Sequence, residues 1–353
     1  MPRWDVGPDL RLLVQVVRHP EHLRTISPEQ FSGLIDVAQS ARLLGWLIDQ
    51  ADIHRGPAQG PGWLSDRIIT ARARAREYER ALRWEIDRLD RAFLGTGITW
   101  VLLKGAAYVA GALAPGRGRR VADIDVLVSE EHLAAAEAAL RQHGWEVPAL
   151  DAYTSQYYRE WMHELPPMIH RERHSVVDLH HAILPRTSRL HPPTSRLLDH
   201  SILTDGDVRI LCPVHMVLHA AAHLFHDGEI TGAIRDLVDL DALLRGFGSR
   251  SEFWLNLVRE AEALELTRPA YYALRHAHRL LGTPVATEAH AAMDRWKPMA
   301  PVTRLMDALV ERTLLASAAS SAAAFALYVR SHWLRMPPLL LAKHLLRKGV
   351  RRR

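Results

Sequence analysis

The sequence predicts an α+β protein in which a small, sheet-bearing core sits between two helical regions. Three observations lead there. Apolar residues recur at helical spacing through roughly the first 95 positions and again from Pro213 onward. Between those stretches, the β-branched run Ile98-Thr-Trp-Val-Leu-Leu103 and the alternating run Asp123-Ile-Asp-Val-Leu-Val128 carry strand patterns. Helical and strand patterns interleave only in this middle part, as a mixed layer fold requires. The expected division is an N-terminal helical subdomain over 1–95, a core over 96–212, and a C-terminal helical subdomain with a basic tail over 213–353.

In chain order, Phe31, Leu34, Ile35, Val37, Ala38, Leu43, Leu44, Trp46 and Leu47 mark the first helices. The Gly/Pro patch Arg55-Gly-Pro-Ala-Gln-Gly-Pro-Gly62 interrupts them. A long charged helix is expected from about Ser65 to Phe93. Gly105 ends the first strand, a short helix is expected over Ala106–Leu113, and Pro115-Gly-Arg-Gly118 reads as a loop. Ser129 is placed to N-cap a helix reaching about His143, with Glu130 and Glu131 in its first turn and Gly144 as its stop. Further strands are expected at Trp145–Val147, Ser175–Leu179 and Val208–Leu211. Helices follow over His215–Phe225, Ala233–Leu244, Glu252–Leu264 and Arg268–Leu281. The Ala/Ser-rich run Leu314–Val329 is too short to span a bilayer and reads as one buried helix.

Composition narrows the class. The chain of 353 residues is 48% hydrophobic and 24% charged, which excludes wholesale disorder. A single cysteine, Cys212, excludes an intramolecular disulfide and a cysteine-rich zinc module. With no apparent secretory signal at the N-terminus, a cytoplasmic location is expected. The net charge of +5 is unevenly spread: nine Lys and Arg residues, and no acid, follow Glu311. Without those nine, residues 1–311 carry −4, so the body is mildly acidic and any attraction to polyanions belongs to the tail. The apolar and basic end, 331–353, is suited to weak contact with an anionic membrane surface or to a solvated or partner-bound helix.

The chemistry is concentrated in Val121-Ala-Asp-Ile-Asp-Val-Leu-Val128. Strand alternation points Asp123 and Asp125 to one face while Ile124 and Val126 point into the sheet. Two carboxylates so held repel unless a divalent cation lies between them, and a hard cation such as Mg²⁺ takes oxygen ligands of this kind. Asp178 offers a third carboxylate on the later strand Val176-Val-Asp-Leu-His180. This is the chemistry of phosphoryl or nucleotidyl transfer.

The run Leu103-Lys-Gly-Ala-Ala-Tyr…Arg119-Arg-Val-Ala-Asp-Ile-Asp-Val-Leu-Val resembles the core of the nucleotidyltransferase superfamily, the DNA polymerase β-like fold. More narrowly, it resembles a bacterial family of uncharacterised nucleotidyltransferases. Gly105 matches the turn glycine, Asp123 and Asp125 the metal-binding pair, Asp178 the third carboxylate, and Arg119 or Arg120 the arginine before the pair. The likeness extends through Leu211-Cys-Pro…His215…His219-Ala-Ala-Ala-His223…Arg235-Asp236-Leu-Val-Asp239.

Several roles follow from the resemblance. It implies a polymerase-β-like core and two-metal transfer of a nucleoside monophosphate from an NTP to an acceptor, with pyrophosphate released. Asp123 and Asp125 would hold Mg²⁺ on the triphosphate, and Asp178 would help bind a second ion or act as base. Lys104 and Arg119 or Arg120 would offset charge on the leaving group, and the backbone at Gly105 and Ala106 would bind phosphate. Two features depart from the pattern: Ala106 stands where the superfamily has Ser or Gly, and the spacing from Gly105 to Asp123 is long. The acceptor is unidentified, with a small molecule, peptide or protein favoured over long nucleic acid by the acidic body.

A rival chemistry lies in His215, His219, His223 and His226, which share one helical face near Asp227, Asp236 and Asp239. They suggest an HD-type metal phosphohydrolase, or else histidines packed on the core and bonded to Asp236 or Asp239. A catalytically inactive nucleotide-binding module is a further alternative. His180 shares a strand face with Asp178, and the aromatic segment 151–173 either lines the acceptor pocket or forms an ordinary packed helix or hairpin.

Overall fold

A computed structural model describes residues 7–54, 61–227, 230, 232–315 and 321–337. Helices α1 (Pro8–Arg18), α2 (Pro28–Ser40), α3 (Leu44–His54) and α4 (Gly62–Phe93) open the chain. Ser27 and Gln30 form a reciprocal capping box at the start of α2, satisfying two amides that no helical carbonyl can reach. The long charged helix begins three residues before its expected start. Most of the Gly/Pro patch, 55–60, lies outside the described residues.

The core runs β1 (Trp100–Leu102), α5 (Lys104–Ala110), β2 (Asp123–Val128), α6 (Leu133–Gln142), β3 (Trp145–Glu146), α7 (Ala152–Gln156), β4 (Met168–His170), β5 (Val176–His180), α8 (Thr194–Asp199), β6 (Ile202–Leu203) and β7 (Arg209–Ile210). Its strands form one seven-stranded mixed sheet in the order β3-β4-β5-β2-β1-β7-β6. The centre is β2, antiparallel to β1 and parallel to β5. The apolar side chains of β1 and β2 are buried, and α4 packs on α5 and α6.

Two local expectations shift. Helix α5 starts at Lys104 rather than Ala106, because Leu103 N–H makes a ladder bond to the Asp125 carbonyl while its own carbonyl already accepts from Ala107. Ser129 does not cap a helix through its side chain. Its Oγ lies 2.8 Å from His132 Nδ1, and a 3₁₀ turn, Glu130–His132, precedes α6.

The remaining helices are α9 (Pro213–Ala222), α10 (Ile234–Phe247), α11 (Ser251–Ala263), α12 (Thr267–His276), α13 (Thr287–Trp296), α14 (Ala300–Leu315) and α15 (Ser321–Arg335). π-Helical turns, His223–Asp227 and Ala277–Leu281, extend α9 and α12. The described parts of the Ala/Ser run lie in α14 and α15, and Phe325 faces solvent. Residues 316–320 between them lie outside the described residues, as does the tail beyond 337 on which surface contact was expected. Among the described residues, no helix is long and apolar enough to cross a membrane.

The helical regions and the core are knitted together. α9 packs against α10, α11 and α12. The Arg18 guanidinium of α1 donates to the carbonyls of Leu280 (2.7 Å) and Arg279 (2.9 Å), capping the far end of the α12 extension. At the start of α3, Gly45 meets Gly118 of the loop before β2 backbone to backbone. A Cβ on Gly45 would lie 1.8 Å from the Gly118 carbonyl oxygen, and Gly118 itself has φ +62°.

Candidate active site

Strand register assembles the acidic residues. β2 and β5 run parallel with Asp125 opposite Asp178 and Asp123 opposite Val176, so the three carboxylates share one face. Ile124 and Val126 turn the other way, into the core. One oxygen from each of Asp123, Asp125 and Asp178 lies within 4.8 Å of the other two. Asp123 is exposed at the strand start, whereas Asp125 is buried.

Asp125 is heavily partnered. Its Oδ1 accepts from Lys104 Nζ at 2.7 Å and lies 2.9 Å from His180 Nε2. Burial alone would raise this carboxyl, but the Lys104 ammonium and the His180 hydrogen bond outweigh it and hold Asp125 well below the usual carboxylate range. Burial would likewise discharge Lys104, yet attraction to Asp125 keeps its pKa above the ordinary value. Lys104 sits at the strand-to-helix turn with φ +45°, a left-handed backbone unusual for a side chain of this kind. His180 therefore braces Asp125 rather than Asp178.

Asp178 is the opposite case. Its Oδ1 is buried with no hydrogen-bond partner among the described residues. Burial, then the charges of Glu164, Asp125 and Asp123, push its carboxyl up to about 7. An orphaned carboxylate oxygen beside two further carboxylates is the donor set a hard divalent cation satisfies, so the residues fit Mg²⁺.

Glu164 is a member of this face that the sequence reading missed. Its segment pairs with β5 through an antiparallel bridge, Glu164 to His180, flanked by Leu165 N–H to the Leu179 carbonyl and His181 N–H to the His163 carbonyl, both 2.9 Å. Glu164 Oε2 reaches 3.4 Å from His180 Nε2. Tyr158 belongs to the same neighbourhood: burial, then the charges of Glu164 and Asp178, raise its phenol. The aromatic segment thus comprises α7, a π turn at Tyr157–Trp161, the Glu164 bridge and β4, and it reaches the acidic face through Tyr158 and Glu164. The available signal was its position between core strands.

The other expected site residues are placed differently. Gly105 and Ala106 are buried in the first turn of α5. A Cβ on Gly105 would lie 2.5 Å from Arg119 Nε, so this glycine makes room for that side chain. Arg119 is half-buried, paired with Asp239 of α10 and lying over the Tyr108 ring at 5.4 Å. Arg235 donates to Asp239 at 3.2 Å and also bonds the Arg42 carbonyl. Arg120 points outward and stacks on Tyr78 of α4 at 5.3 Å. Neither guanidinium is engaged with the three aspartates; one ties the core to α10 and the other to α4.

The histidine helix is a packing element. His215 Nε2 lies 3.0 Å from Glu260, and His226 Nε2 lies 2.8 Å from Ser188 Oγ. These partners replace the expected Asp236 and Asp239, because Asp239 is taken by Arg119 and Arg235. Burial, reinforced by the nearby Lys104, drives the His219 imidazole well below its ordinary pKa. Among the described residues, neither metal-capable cluster includes a histidine of this helix. A cavity of about 790 Å³ lies at the far ends of β2 and β5, between Ser129 and His181, and is lined by none of the three aspartates.

No curated protein matches the chain. A family model does, described as an uncharacterised nucleotidyltransferase and matched over residues 27–282, from α2 through the end of the α12 extension. With most of its length so matched, the chain belongs to this nucleotidyltransferase family.

Proposed function

We propose that the protein transfers a nucleoside monophosphate from a nucleoside triphosphate to an acceptor, releasing pyrophosphate. The observation that carries this reading is the β2–β5 register, which sets Asp125 opposite Asp178 with Asp123 beside them. In this reading Asp123 and Asp125 hold Mg²⁺ on the triphosphate, and Asp178 joins them at a second ion. Bound Mg²⁺ would supply charge neutralisation and lower the pKa of the attacking group.

The chain's own residues do the rest. Asp178 accepts the acceptor's proton as the acceptor oxygen bonds to the α-phosphorus and the bond to the pyrophosphate oxygen breaks. Lys104, a charged ammonium at the edge of the acidic face, offsets charge on the departing pyrophosphate. The first turn of α5 offers backbone amides to phosphate. Arg119, through its contact with Gly105 and its tie to Asp239, holds that turn in place.

The acceptor is a small molecule, peptide or protein rather than long nucleic acid, since residues 1–311 carry a net −4 and tracking a phosphate backbone needs clustered cations. The reaction as proposed belongs in the cytoplasm. Calorimetry with each of the four NTPs, with and without Mg²⁺, tests the reading. Wild type should bind at least one NTP only with the metal, and Asp123→Ala/Asp125→Ala should abolish binding. A folded wild-type protein that binds no NTP under these conditions would sink the proposal.

A further inference from the structure

A second cluster lies against the acidic face and differs from it in donor chemistry. One ligand atom from each of His163, Glu164 and His180 lies within 4.8 Å of the other two. The two imidazole rings are 5.2 Å apart and tilted by 40°. Ligands at about 2.0–2.2 Å from a common ion are roughly 3–4.4 Å from one another, so small side-chain shifts close the set. Backbone pairing with β5 fixes His163 and Glu164, so these donors are held by the sheet rather than by a loose loop.

The polar bookkeeping around His180 also points to a ligand. Its Nε2 is bonded to Asp125, while Nδ1 is buried and has no hydrogen-bond partner among the described residues. In the tautomer that donates Nε2–H to Asp125, Nδ1 carries a lone pair that the protein leaves unsatisfied. A carboxylate behind one ring nitrogen is the usual backing of a metal-ligating histidine. Glu164 approaches His180 Nε2 only to 3.4 Å, well beyond a charge-assisted hydrogen bond of about 2.7–2.9 Å. The Lys104 ammonium feels the charges of Asp125, Glu164 and Asp123, so Glu164 belongs to the same electrostatic neighbourhood as the aspartates.

We propose that His163, Glu164 and His180 form a second cation site, selective for a nitrogen-preferring divalent transition ion such as Zn²⁺ or Co²⁺. Two imidazoles and one carboxylate suit a borderline-soft ion, whereas the three aspartates suit Mg²⁺, so the two sites sort metals by donor type. The site requires no nucleotide, and its existence does not depend on the transfer reaction.

Co²⁺ titration of the metal-stripped, full-length protein, followed by visible absorption, tests this directly. Wild type should take up one equivalent with the bands of nitrogen-ligated Co²⁺. Asp123→Asn should retain that uptake, while Glu164→Gln and His163→Ala should each weaken it by more than about 100-fold, beyond the loss typical of an outer-shell partner. Should His163→Ala fail to fold, Glu164→Gln, isosteric and at a partly exposed position, decides the matter. Absent bands, uptake unchanged by Glu164→Gln, or uptake lost in Asp123→Asn would each overturn the proposal.

Discussion

Replacing Asp178 with asparagine is expected to stabilise the metal-free protein at pH 8. The native carboxyl titrates at about 7, against an ordinary value of 3.8. The folded state therefore keeps a proton that the unfolded chain has released, and stability falls as pH rises from about 4 to 7. Above pH 7 the full penalty applies: about three pKa units at 1.36 kcal/mol each is about 4 kcal/mol, and partial exposure brings the working figure nearer 2. An amide of the same shape carries no charge, so Asp178→Asn removes the penalty. Buried neutral histidines such as His181, held down at about 4 first by burial and then by Arg186, contribute the opposite slope. The difference between wild-type and variant curves isolates Asp178. Urea unfolding in EDTA from pH 5 to 9 should show that difference growing by about 1–3 kcal/mol between pH 5 and pH 8. Added Mg²⁺ should then stabilise wild type more than the variant. A variant less stable than wild type at pH 8, or a difference that does not change with pH, would refute the reasoning.

Two further outcomes test the scaffold. Asp239→Asn leaves the buried Arg235 and the half-buried Arg119 without their carboxylate and should cost about 3–5 kcal/mol in urea unfolding; Arg119→Met, which leaves Asp239 paired with Arg235, should cost less, and the reverse order would disprove the network. Gly45→Ala drives a methyl into the Gly118 carbonyl and should lower stability by about 3 kcal/mol or more by calorimetric melting, whereas Gly62→Ala, with open space around it, should stay within about 0.5 kcal/mol.

What could be read from the residues was what local pattern encodes. β2 announced itself through alternation, and α4, α10 and α11 through apolar period, each to within a few residues. The pairing of β2 with β5 is a contact between positions more than fifty residues apart, and only the turn glycine, the acid spacing and the family resemblance hinted at it. Glu164 was invisible because a single bridge, not a periodic strand, sets it opposite His180. Arg119 was visible as an arginine ahead of the acids, but nothing near it in sequence reveals a partner 120 residues later. The partners of His215 and His226, Glu260 and Ser188, come from other elements, which their spacing along the chain could not reveal.

The clasp of Arg18 on Leu280 and Arg279 has a consequence for the nascent chain. Its two halves are separated by 262 residues, and ribosomes add roughly 5–20 residues per second. For about 13–52 s after α1 emerges, its docking site does not yet exist. During that interval Leu13, Val16 and Val17 can be covered only by α2 and the 3₁₀ turn Pro20–Arg24, which α1 contacts within the first forty residues. The early helices must therefore wait as a partly shielded group, and the first helix can close onto the end of the matched region only after Leu280 has been made. A truncation before Leu280 would leave that group permanently open, with a guanidinium and an apolar face available to holdase chaperones.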